Sequence, residues 1–279
     1  MNKKSIIWII LIILLIPSIM PITYSYNTSS IKTIYVDDDN IWGPWYGSIE
    51  HPYRYIQKAI DNARQGDTIF VYEGTYYEHI IIFKQLLLIG EDKNNTIIDG
   101  GGFGDVIRVS TNSFNIRGFT IQNCGDFGIE INECSDITIT GNIIRDNGGG
   151  IQVYFSSNVL ISGNTVEGSS DNGIDIRLSS QNLIYGNNIK DNGRGCLLLG
   201  GNRNKFMQNN FINNKWQAYF ESHIPDLNRW SGNYWDNWIP LLPKPILGGI
   251  NHGRIIWFKF DWHPATEPYD IPTSEVKIG

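Results

Sequence analysis

The 279-residue chain is poor in the groups from which small metal and redox centres are built: it has three cysteines, three methionines and five histidines. Three cysteines cannot all pair among themselves, so a disulfide-stapled scaffold is excluded. The histidines, at positions 51, 79, 223, 252 and 263, are scattered rather than set at ligand spacing. Met207 is the only thioether beyond residue 25. A soft-metal site therefore has few donors to draw on, and no metal is assigned beyond a weak calcium candidate. Charge is also sparse, at 18% of residues, with acids in excess and no basic run, which argues against a nucleic-acid partner. Gly100-Gly101-Gly102 is not followed by the residues of a phosphate loop and reads as a corner. Long apolar runs are missing too. Only Ile6 to Ile16, behind Lys3 and Lys4 and ahead of Pro17, is unbroken, and its eleven residues fall short of a bilayer span. Residues 1–25 are read as a secretory signal peptide cut after Ser25, the alternative being an uncleaved membrane anchor. Cleavage leaves 20 basic and 28 acidic residues, a net charge of −8, in a protein expected to be secreted, at the cell surface or periplasmic.

What the chain does have is a repeat. Gly118, Gly141, Gly163 and Gly186 recur every 22 or 23 residues, and Asn142, Asn164, Asn187 and Asn209 form the next column. Two residues before the glycines stand Ile116, Ile139, Ile161, Ile184 and Phe206; three after them stand Ile121, Ile144, Val166, Ile189 and Phe211. A second marker, Gly128, Gly150, Gly173 and Gly195, is followed by Ile129, Ile151, Ile174, Cys196 and Ala218, and two residues on by Ile131, Val153, Ile176, Leu198 and Phe220. All twenty of these positions are apolar in a chain that is 41% apolar. Apolar and polar residues alternate inside each repeat, the period of a strand with one buried face. Helical repeats need 30 or more residues and a 3.6 period, and leucine-rich repeats a leucine framework; neither is present. Stacked coils remain, with asparagine amides hydrogen-bonding along the stack and glycines making the corners. The fold class is all-β: a right-handed, single-stranded parallel β-helix of about 22-residue coils.

Ahead of it, Ile56, Ala59, Ile60 and Ala63 make one amphipathic helical face between Pro52 and Gly66, expected to cap the open first coil. Strands are expected at Ile34 to Val36, Thr68 to Tyr72, Ile80 to Phe83, Leu86 to Ile89, Thr96 to Ile98 and Val106 to Val109. The domain division is 1–25 leader, 26–66 lead and capping helix, 67–238 β-helix, and 239–279 a proline-rich cap and tail. Trp230 and Trp235 fall in core columns of the last coil and are expected to close it. Pro240, Pro243, Pro245, Gly248 and Gly249 argue that the sheet stops there, with one later strand at Ile255 to Phe260. Cys196 is expected to be a buried, inert thiol, while Cys124 and Cys134 flank one coil and either pair or stay reduced.

These columns resemble the right-handed parallel β-helix proteins of pectin-lyase-like architecture, nearest to the NosD-like repeats and the carbohydrate-binding and sugar-hydrolysis domains, over roughly residues 53 to 238. The resemblance implies a scaffold that hosts many chemistries. Of the catalytic sets known on it, none is intact. The nearest match to a hydrolase Gly-His-Gly is Asn251-His252-Gly253, outside the ladder. Arg177 beside Asp175 is a faint echo of a lyase base, and the epimerase Asp-Pro-His-Glu motif is missing. Function on such a scaffold sits on outward rows. The best pair is Glu130, Gln152, Asp175, Leu197, Tyr219 beside Asn132, Tyr154, Arg177, Leu199, Glu221. Glu130, Asn132, Gln152, Tyr154, Asp175 and Arg177 are the candidate carbohydrate contacts, against the plainer reading of an ordinary solvated face. Gln122, Arg145, Glu167 and Lys190 form another row, read as cross-strand pairing. Asp37, Asp38 and Asp39 are a weak calcium candidate against a solvated acidic loop. The functional expectation is a monomeric, exported module binding polysaccharide or cell-envelope glycan. The alternatives are a divergent lyase, hydrolase or epimerase and, as the NosD-like resemblance implies, a metal-delivery accessory protein.

Overall fold

The structure is a computed structural model that describes residues 30–222, 227–239, 241–250 and 253–271. The expected leader and its cleavage point lie outside the described residues, as do His223 and the Asn251-His252 pair. From Thr33 onward the chain winds through three sheets that run the length of the molecule, two of nine strands and one of eight. One regular coil shows the path. Thr138–Thr140 lies in the first sheet, Ile143–Arg145 in the second and the longer Gly149–Tyr154 in the third. Corners at Gly141 and Asp146 adopt left-handed backbone, φ 64° and 55°. Successive coils pair in parallel and in the register expected: Ile116, Ile139, Ile161, Ile184 and Phe206 lie side by side, as do Ile129, Ile151, Ile174, Cys196 and Ala218. Nearly every member of the apolar columns is buried. No single coil can bury its own inner face, so stability resides in the stacking.

The asparagines do what their column implied. The side-chain carbonyl of Asn164 accepts from Asn142 Nδ2 at 3.2 Å, that of Asn187 from Asn164 at 3.0 Å and that of Asn209 from Asn187 at 2.9 Å. Each donor amide also reaches a backbone carbonyl, as in Asn187 Nδ2 to Ile161 O at 2.8 Å. Because every amide donates toward the next coil, the column needs an acceptor at its end. Asn209 donates to Asn233 at 3.0 Å, and Asn233 donates to the buried carboxylate of Asp261 at 3.0 Å.

The ends are closed differently. Helix α1 (Ile56–Asn62) lays Ile56, Ala59 and Ile60 on the first coil. It lacks a side-chain cap of its own. Instead Glu78 accepts the backbone N–H groups of Ile56 and Gln57 at 2.7 and 2.9 Å, and Lys84 donates to the carbonyls of Ile60, Asp61 and Ala63. An acid at the N-terminus and a base at the C-terminus complement the helix dipole. At the far end Trp230 stacks on Phe206 at 4.0 Å and Trp235 on Phe211 at 4.3 Å, closing the core as expected. The expectation that the sheet ends before residue 240 is corrected. Lys244–Ile250 adds a further parallel strand to the third sheet, and Ile255–Asp261 folds back on it antiparallel. Gly248 is required there: a Cβ would lie 2.3 Å from the Phe220 ring. The early strands fall where expected, with one more at Gly74–Tyr77. Cys124, Cys134 and Cys196 are all free and buried.

Candidate functional site

The third sheet carries the longest strands, and its alternation sends two rows of side chains outward. Arg108, Glu130, Gln152, Asp175, Leu197 and Tyr219 form one; Asn132, Tyr154, Arg177, Leu199 and Glu221 form the other. The six residues picked from the sequence all stand in these rows. The structure does not leave them equivalent.

Asp175 departs from the surface role expected of it, for its side chain is fully buried. Arg177 grips it with Nε at 2.8 Å and Nη2 at 2.7 Å from its two oxygens, and Asn172 Nδ2 adds a bond of 3.1 Å. A carboxylate taken out of water needs such partners. Its oxygens are occupied, so its part is to hold and aim the half-exposed guanidinium of Arg177. Alternation tells which way a side chain leaves the sheet, not what folds over it.

Glu130 is also engaged. Arg108 forks between Glu130, at 2.6 Å, and Asp105, at 2.7 Å. Burial and the negative charge of Asp105 push the Glu130 carboxyl above the usual range, against the pull of Arg108. Close by, His79 Nδ1 lies 2.7 Å from the Asp105 carbonyl oxygen, and its ring packs on Phe103 at 4.4 Å. Asp105 and Arg108 escape a reading of the sequence because they sit in the irregular coil before the repeat sets in.

Beyond Arg177 the sheet edge forms a groove of about 340 Å³ lined by Tyr154, Arg177, Leu178, Leu199, Gly200 and Glu221, with Ser222 at its margin. Tyr154 meets Phe155 edge to face at 4.4 Å. Phe155 and Leu178 are half exposed, and both occupy left-handed backbone, φ 46° and 49°, at a corner where the next coil has Gly200. Bulky residues avoid that region. Phe155 and Leu178 are the residues that sequence reasoning missed. Their signal was a large apolar side chain, in two successive coils, at a corner that the third coil gives to Gly200.

The row of Gln122, Arg145, Glu167 and Lys190 pairs as anticipated, with Lys190 and Glu167 at 2.7 Å and Arg145 donating to Gln122 at 2.9 Å. In the acidic loop, Asp38 turns back to accept Thr75 N–H at 3.0 Å, Asp37 accepts Asp39 N–H at 3.0 Å, and burial raises the Asp38 pKa. Among the described residues no group of three or more His, Cys, Asp or Glu side chains could hold a metal ion.

Residues 60–238 match the family model described as periplasmic copper-binding protein (NosD). The chain belongs to the NosD family. Among solved structures it is similar to the pectate lyase Pel9A, with 15% identity and a TM-score of 0.52 over 75% of this chain and 72% of that one. It is also similar to a pectin methylesterase from carrot, with 13% identity and a TM-score of 0.50 over 78% and 81%. At such identities the likeness is one of fold: the right-handed parallel β-helix. A search of curated proteins found no match.

The family's description raises copper, and the described residues do not fit it. Copper takes thiolate, thioether or imidazole donors. Burial pushes the Cys124 thiol up to about 11 and the Cys196 thiol well above its ordinary value. Met207 has Tyr185 and Ser231 as its neighbours in the sheet, neither a soft donor. No helix among the described residues is long and apolar enough to cross a membrane.

Proposed function

We propose that this NosD-family chain is an exported module that binds polysaccharide at the cell envelope through the groove beside Arg177. The observation that carries the reading is the composition of that groove. Tyr154, backed edge to face by the neighbouring Phe155, and Leu178 offer faces for a sugar ring, while Arg177, held rigid by Asp175, and Glu221 offer hydrogen bonds beside them. Aromatic faces with a few fixed polar groups suit a ring that is apolar on one side and hydroxylated at its edge. Asn132, Gln152 and Glu130 extend the same outward rows along the sheet and could contact further residues of a chain. Binding to immobilised envelope and plant polysaccharides, compared between the native chain and a Tyr154→Ala, Phe155→Gly double variant of matched melting temperature, tests it. Binding should fall at least tenfold; equal binding removes the groove from consideration.

A second reading rests on the Asp105–Arg108–Glu130 fork. A carboxyl whose pKa is raised by burial and a neighbouring acid is what a general acid requires, which favours a divergent carbohydrate-active enzyme. Reducing-sugar release and unsaturated-product absorbance over uronate and neutral polymers, with and without Ca²⁺, separate the two. Turnover that disappears in Glu130→Gln would replace the binding reading.

A further inference from the structure

We propose that the outer strand of the C-terminal hairpin, Ile255–Asp261, is the docking edge for a second copy of this chain, the two solenoids meeting C-terminal end to C-terminal end. Among the described residues this strand is the last in the third sheet and has a neighbour on one side only. Its free side presents a row of unpaired N–H and C=O groups, which soluble proteins ordinarily blunt with charge, proline or a bulge. Proline is missing from the strand, and its two charged residues are turned away from the edge, Lys259 onto the Asn228 carbonyl and Asp261 into the core. Ile255, Ile256, Trp257, Phe258 and Phe260 are all exposed, so both faces of the strand are apolar, and Trp262 follows directly, 64% exposed. The opposite end of the solenoid, by contrast, is covered by α1.

Three features favour a second copy as the occupant. An edge strand pairs with its own image antiparallel across a two-fold axis, so each copy satisfies the other's backbone groups and the third sheet continues from one molecule into the next. The exposed apolar side chains of residues 255–262 offer roughly 700 Å² per copy over both faces of the strand, so an end-to-end join has apolar surface to draw on toward the ~800 Å² per partner of a stable interface. Charge does not oppose the approach. The whole chain carries a net charge of −6. Yet the strand's one acid, Asp261, is buried inside its own ladder, and Lys259 turns back to the Asn228 carbonyl at 3.2 Å. The monomer expected from the sequence alone took no account of this edge, because a short, nearly continuous apolar run does not say where in a sheet it will lie.

Light scattering on the purified full-length chain at about 5 and 50 μM tests the proposal. A mass near twice 31.7 kDa at the higher concentration is expected. An Ile256→Lys, Phe258→Lys variant with an unchanged melting curve should return to the single-chain mass. A native chain that stays single at both concentrations, or an assembly that persists in the variant, overturns the proposal. Hydrogen exchange on the native chain provides a control that needs no folded variant. Edge amides of residues 255–261 should be protected at the higher concentration and exchange faster at the lower. Protection in a chain that light scattering finds single would mean that the chain covers its own edge, and would refute docking.

Discussion

Replacing Asp261 tests whether the inner asparagine column is a directional chain of hydrogen bonds with a required end. Asp261 is fully buried and accepts from Gly232 N at 2.9 Å, Asn233 N at 2.8 Å, Asn233 Nδ2 at 3.0 Å and Trp235 Nε1 at 3.3 Å. Alanine leaves these four donors, and the backbone N–H of His263 at 3.3 Å, without their acceptor. An orphaned buried donor costs about 1–3 kcal/mol, though not additively, and breaking a buried polar network costs about 3–5 kcal/mol; that larger range is expected for Asp261→Ala. Asp261→Asn keeps one carbonyl but turns an NH₂ toward N–H groups, so about 2 kcal/mol is expected. The reverse exchange inside the ladder should be as severe as the alanine. An aspartate at 187 cannot donate to Ile161 O at 2.8 Å or Asn209 Oδ1 at 2.9 Å, and it would face those acceptors with a negative charge. Urea unfolding followed by tryptophan fluorescence reads this directly, since Trp230 and Trp235 stack on the last coils. A loss below ~1 kcal/mol in Asp261→Ala, or a well-tolerated Asn187→Asp, would refute the directional account.

Two further outcomes follow from the ends of the solenoid. Burial raises the Glu78 carboxyl pKa, with the N–H bonds from Gln57 and Ile56 pulling the other way. The folded chain therefore holds a proton that the unfolded chain has lost, so Glu78's contribution is full below the ordinary glutamate pKa and declines as pH rises through the raised value. Urea midpoints between pH 4 and 8 should show that decline in the native chain and a flatter profile in Glu78→Gln; a native chain that gains on the variant with rising pH would mean the helix N–H bonds dominate. At the other end, Gly248→Ala forces a Cβ onto the Phe220 ring. It should cost about 2–3 kcal/mol by the same urea assay, and neutrality would show that the strand of Lys244–Ile250 does not stack on Phe220.

Most of the solenoid could be read in advance because its rule is local and repeated: one isoleucine per sheet per coil, one asparagine per corner. The register at Ile139, Ile161 and Ile184 needed only counting. Gly74–Tyr77 and the Asp105–Arg108 fork escaped because they lie in coils of irregular length, where no column fixes the phase. The strand at Lys244–Ile250 escaped because proline and glycine usually end sheets. Here Pro245 lies near the strand's start, next to an antiparallel partner, while Gly248 makes room for Phe220 and Gly249 for the backbone of Gly253. The candidate rows were legible as rows; the burial of Asp175 was not, since it depends on how Arg177 folds back across the strand.

What sets the groove apart is the kind of residue at its corner: among the described residues left-handed non-glycine corners recur at polar residues along the solenoid, and carry a bulky apolar side chain only at Phe155 and Leu178. Replacing a buried ion pair such as Asp175–Arg177 by well-packed apolar residues is often neutral or stabilising, so stability alone does not call for it. Phe155 and Leu178 hold left-handed backbone at about 1–2 kcal/mol each, where Gly200 holds the same corner one coil later without that penalty. Arg177 and Leu178 line one groove, and Phe155 packs edge to face on Tyr154, which lines it too. Phe155→Gly therefore weighs fold against function. Relief of backbone strain offsets the greater freedom of glycine in the unfolded chain and the lost contact with Tyr154, and stability should stay within about 1 kcal/mol of the native chain. A loss of more than ~2 kcal/mol would make Phe155 a packing residue, and with that the strained corner would no longer point to a ligand.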